Sequence, residues 1–85
     1  MKQPTPEVTD AVPSVDECKA LCSALTPAER EVLVLAACGL SNKWIARRKG
    51  HALKSIEAVR TRMFRRLDVV NIARAAAIAA KAGLV

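Results

Sequence analysis

Apolar side chains recur along this chain at spacings of three and four, and the breaks between runs carry helix start and stop signals. That is the period of helices with one buried face. Ser14-Val15-Asp16-Glu17 has the form of a capping box, with Ser at the N-cap and Glu three residues on. It predicts a short helix from about residue 15 to 24, with Val15, Cys18, Leu21, Cys22 and Leu25 on one side. Thr26-Pro27-Ala28-Glu29 is a stronger start, because Pro27 at the first helical position loses no hydrogen bond and Glu29 closes the box. The helix it opens carries Val32, Leu33, Leu35 and Ala36 inward and stops at Gly39, after which Leu40 packs. Ser41 caps a third helix, Asn42 to about Lys49, with Ile45 and Ala46 inward and Gly50 at its end. After a turn through His51 and Ala52, a longer helix runs from about Leu53 to Leu67. Asp68-Val69-Val70 connect, Asn71 caps, and Ile72 to Ala82 form the last helix before Gly83. Strand formers are sparse while Ala, Leu and Arg are abundant, so the chain reads as all-α. Helix, glycine-containing turn, helix is the helix-turn-helix arrangement.

Eighty-five residues hold one small domain. Residues 1–13 contain three of the four prolines and no apolar period, and read as a mobile tail; residues 14–85 carry the helices. The apolar runs fall short of a membrane span, and the polar, proline-rich start is unlike a secretory signal. Three cysteines form no disulfide framework, which points to a reduced, cytoplasmic protein. Aromatics are 2% of the chain, too few for a platform that stacks single-stranded bases. A domain this small has little room for an enclosed active-site cavity. It shows no nucleophile–base set, phosphate loop or metal cluster, so no enzyme activity and no cofactor is expected.

Charge changes the picture most. The net charge is +6, but it is unevenly spread. Residues 43–66 hold nine basic residues against one acid, Glu57, a net of +8, while residues 1–31 are net −3. Positive charge thus gathers on the two helices of the motif, the electrostatic footprint of a protein that binds duplex nucleic acid. At about 100° per residue, Ile56, Val59, Met63 and Leu67 of the longer helix turn toward the core. Lys54, Ala58, Thr61, Arg62 and Arg65 turn outward, with Glu57, Phe64 and Arg66 flanking. Small residues let the backbone approach a groove floor, an Arg can read guanine, and a Thr methyl or Ala can touch a thymine methyl.

Leu25-Thr26-Pro27-Ala28-Glu29-Arg30-Glu31-Val32-Leu33, Gly39-Leu40-Ser41-Asn42-Lys43 with Ile45-Ala46, and Val59 to Leu67 followed by Val69 and Asn71 together resemble the LuxR-type (NarL/FixJ/GerE-like) helix-turn-helix output domain. The resemblance runs without a gap from Leu25 to the C-terminus. It implies four helices, the third entering the major groove and the last often pairing two subunits, with residues 14–24 as an extra N-terminal helix. The family's base-contacting positions fall on Glu57, Ala58 and Thr61, to which the outward stripe adds Arg62. Its backbone-contacting positions fall near Lys43, Ser55 and Arg65, and Lys54 joins them by position. The chain has no room for the receiver or ligand-binding domain that usually precedes this one, so it reads as a stand-alone effector.

The chain departs from the family pattern where Lys49 and His51 replace aliphatic plugs of the turn; Leu53 is expected to substitute in part, and the Lys49 stem to snorkel. Ala52 stands where the third family helix usually has its Ser or Thr cap, a loss of about 1 kcal/mol. Glu57 stands where a cation is common; it can accept from a cytosine amino group or repel phosphate. Cys18, Cys22, Cys38 and His51 have zinc-ligand chemistry but not its spacing, and idle or buried thiols are the simpler reading. Trp44 is expected to be a partly buried lid rather than an exposed anchor for a partner protein. In the last helix Ile72, Ala76 and Ala79 suit the core, leaving Ala73, Ala77 and Ala80 to face a twin. The resulting expectation is a sequence-specific regulator that binds double-stranded DNA as a homodimer through its last helix. The other class in view is a protein that binds another regulatory protein, for example as an inactive heterodimer.

Overall fold

Local capping chemistry sets where each helix begins. The computed structural model describes residues 13–85, so the reading of residues 1–12 as a tail lies outside the described residues. Five helices follow: α1 (Val15–Ser23), α2 (Pro27–Ala37), α3 (Asn42–Lys49), α4 (Leu53–Leu67) and α5 (Ile72–Lys81). The described residues contain no strand, and the protein is all-α. Ser14 with Glu17, and Thr26 with Glu29, close complete capping boxes on α1 and α2. Ser41 and Asn71 accept the Trp44 and Arg74 amides at the starts of α3 and α5. Only α4 begins without a side-chain cap, at Ala52.

Four helices stop in the same way. Beyond α2, α3, α4 and α5 the chain enters the left-handed region at Gly39, Gly50, Asp68 and Gly83. The next residue's amide then bonds back across the last turn, as from Leu40 to Leu35 O and from Val69 to Phe64 O. At Gly50, φ is 70°, a conformation that suits glycine, and it produces the sharp turn between α3 and α4.

Two apolar clusters share α2 and α4. One gathers Cys18, Cys22 and Leu25 with Leu33, Met63, Leu67, Ala75, Ile78 and Ala79. The other gathers Val32, Ala36, Ile45, Ala46 and Ile56. Ile72 packs against both. The extra helix α1 therefore extends the core, and Lys81 Nζ donates to Pro13 O across 2.9 Å to tie the end of α5 to the start of α1.

Several inward positions differ from the sequence expectation. Val15 is 46% exposed because it lies in the first turn of α1, before the helix meets α5. Leu53 is 42% exposed and does not plug the turn. Lys49 is covered as expected: its side chain is only 17% exposed, and its ammonium pairs with Glu31. In α5 the buried residues are Ala75, Ile78 and Ala79, with Ile72 and Ala76 half-buried. Ile78 is the large side chain of that face, and burying it turns the helix a little beyond the expected stripe.

Candidate nucleic-acid interface

The α3–turn–α4 unit presents its basic residues on a scaffold fixed by α2. Ile45 and Ala46 on α3, and Ile56 on α4, bury against Val32 and Ala36 of α2. Arg60 adds a polar tie: its Nη1 donates to Asn42 Oδ1 at 3.0 Å, and its guanidinium lies 5.3 Å from the centre of the Phe64 ring. Lys54, Ala58, Thr61 and Arg65 are all exposed, one row along the face of α4 away from the core. Glu57 is exposed at one margin of that row and Arg62 at the other. Ser55 at the start of α4 and Lys43 at the start of α3 are exposed too. Thr61 Oγ1 donates to the Glu57 carbonyl at 3.0 Å, so its hydroxyl is engaged within the helix.

The basic residues divide into two groups. Lys49 pairs with Glu31, while Arg62 and Arg66 pair with Glu29. Arg48 stacks over Trp44, 5.2 Å from the ring centre. Among the described residues no ion pair engages Lys43, Arg47, Lys54 or Arg65, and all four are exposed. Arg47 joins this set only in the folded chain; its position on the solvent side of α3 is the signal that marks it. Trp44 is not a lid: it is 38% exposed and belongs to neither apolar cluster. Helical geometry points it away from Ile45 and Ala46, which hold the buried side.

Glu29 is the buried carboxylate among the described residues, at 1% exposed. Burial pushes its carboxyl up, but the Thr26 amide, Arg66 and Arg62 together outweigh burial and hold it below its ordinary value of 4.5. Glu31 is held low mainly by its hydrogen bond and charge contact with Lys49. Cys18 and Cys22 are buried and Cys38 is exposed. Among the described residues no group of three or more His, Cys, Asp or Glu is placed to hold a metal ion. No helix among them is long and apolar enough to cross a membrane.

A family model described as "Bacterial regulatory proteins, luxR family" matches residues 23–79, which includes α2, α3, α4 and most of α5. The chain belongs to the luxR family. Membership makes it a DNA-binding helix-turn-helix regulator domain, in a family of regulators rather than of enzymes. No curated protein matches this luxR-family chain.

Proposed function

We propose that this luxR-family chain regulates transcription by reading double-stranded DNA with α4 in the major groove, as a homodimer joined through α5. The observation that carries the reading is the set of four exposed cations on α3 and α4, Lys43, Arg47, Lys54 and Arg65, which no ion pair engages among the described residues, with Ala58 and Thr61 exposed beside them on α4. Lys43, Lys54 and Arg65 contact phosphates, and Ser55 donates to one. Glu57, Ala58, Thr61 and Arg62 meet base edges, Glu57 through a cytosine amino group and Arg62 through guanine. With its hydroxyl bonded inside the helix, Thr61 offers its methyl to a thymine methyl. Exposed Ala73, Ala77 and Ala80 form the small-residue row of α5 against which a second copy packs.

The test is a titration against random-sequence duplex pools at several salt concentrations. Lys43→Ala and Arg65→Ala should each weaken binding to all duplexes alike and flatten the slope of log K against log salt by about one. An unchanged slope in both variants removes these residues from the interface. A second reading, in which the chain binds another regulatory protein in place of DNA, is favoured by Glu57. Its carboxylate stands on the recognition face with no ion-pair partner among the described residues. A wild type with no salt-dependent affinity for any duplex would put that reading first.

A further inference from the structure

Glu29 reaches across from the start of α2 to the C-terminal half of α4. Its Oε1 accepts the Thr26 amide at 3.0 Å and lies 2.9 Å from Arg66 Nε. Its Oε2 is 3.2 Å from Arg66 Nε and 3.6 Å from Arg62 Nε. The two arginines are four residues apart, one helical turn, so one carboxylate serves both. The carboxylate side chain is 1% exposed while the arginine side chains are 52% and 48% exposed. The anion is therefore fixed by the core and cannot follow its partners outward, while the arginine side chains stay about half exposed.

We infer that Glu29 is a positioning residue for DNA recognition, which withholds Arg62 and Arg66 from the phosphates and so trades indiscriminate affinity for sequence preference. The inference rests on the proposed α4–DNA reading. A duplex brings phosphate oxygens up to α4, and these compete with Glu29 for the same donors. An arginine already neutralised by a fixed carboxylate releases few counterions when DNA arrives, whereas a free one adds to the sequence-independent attraction. Held by Glu29, Arg62 stays at the margin of the recognition row in one orientation, suited to a base edge. Two of the nine cations in residues 43–66 are thereby kept out of nonspecific binding.

Glu29→Gln tests this, because glutamine keeps an acceptor for the Thr26 amide and nearly the same shape while losing the charge. Titration of wild type and variant with a random-sequence duplex at 50 to 200 mM salt should show a steeper slope in the variant. The increase should be about 0.9 per arginine released, so both together add roughly a tenfold loss across that salt range. Arg66→Ala should leave the wild-type slope unchanged and flatten the slope of the Glu29→Gln protein. A folded Glu29→Gln protein whose slope is unchanged or flatter overturns the inference. Where circular dichroism shows that variant unfolded, Arg66→Ala in the wild-type background decides: a slope flattened by about one shows that Arg66 is already on phosphate, which also overturns it. A wild type lacking salt-dependent duplex affinity would instead overturn the DNA reading itself.

Discussion

Glu57 separates the two functional readings more sharply than any other side chain. It is exposed, its carbonyl accepts the Thr61 hydroxyl, and no cation engages its carboxylate among the described residues. In a groove such an anion is tolerated where a cytosine amino group meets it. Glu57→Gln should therefore relax preference at one base pair by about 1–3 kcal/mol, measured with matched and mismatched duplexes at one salt concentration. Equal tightening on every duplex would show that Glu57 only repels. Asp68 invites a different change. Its φ of 57° is the only positive value outside glycine among the described residues, and it follows the C-terminus of α4, where negative charge is disfavoured. Asp68→Gly should stabilise the protein by about 0.5–1 kcal/mol, seen as a higher denaturation midpoint, and Asp68→Ala should not. The inward pattern of α4 was legible position by position, since Ile56, Met63 and Leu67 repeat with the helix period and are buried. The partners of the arginines were not. Glu29 and Arg66 are 37 residues apart, and no spacing rule joins them.

Helix ends show why the architecture was readable and where it is weak. Ser14, Thr26, Ser41 and Asn71 announce α1, α2, α3 and α5 because each short polar side chain satisfies an amide that the helix leaves unpaired. Ala52 leaves α4 without that bond although its backbone, at φ −69° and ψ 148°, already has the N-cap conformation. Ala52→Ser should add about 1 kcal/mol and raise Tm by several degrees, with no other structural change. The Glu29 tie between α2 and α4 carries a pH dependence. Its carboxyl titrates lower in the folded chain than in the unfolded one, so it stabilises fully above the ordinary value of 4.5. That contribution is lost as the pH falls from there through the folded value. Wild-type Tm should accordingly drop on acidification below about pH 4.5 more steeply than that of Glu29→Gln, by thermal melts at matched ionic strength. At the turn the sequence expectation failed at Leu53, which is exposed, and held at Lys49, whose side chain is largely covered. A lysine whose charge is met by Glu31 can act as an aliphatic residue for most of its length.

Taken together, the two apolar clusters make one molecule of two cooperating halves: α3 with the start of α4, and α1 with α5, both built on α2. In the proposed assembly the α3–α4 half stays fixed while the exposed Ala73, Ala77 and Ala80 of α5 meet a second copy. Ala77→Arg, at an exposed position, should leave the unfolding free energy within about 0.5 kcal/mol of wild type yet abolish cooperative binding to a duplex with two half-sites, by sedimentation and titration. Retained cooperativity would remove α5 from the dimer contact. The placement of the three sulfurs has a consequence of its own. Cys18 is 0% and Cys22 4% exposed, inside the contact between α1 and α5, while Cys38 is at the surface. Burial, aided by the neighbouring Cys18, pushes the Cys22 thiol up, which makes its reactive thiolate scarcer still. A maleimide added to the native protein should therefore consume one equivalent at once and two more slowly, at a rate set by how often α1 lifts away. If that slow rate ignores Ile56→Ala, which weakens the other half, α1 detaches by itself; if it rises in step with global unfolding, the first helix lets go only with everything else. The unlabelled chain thus comes with its own clock for the order in which it opens.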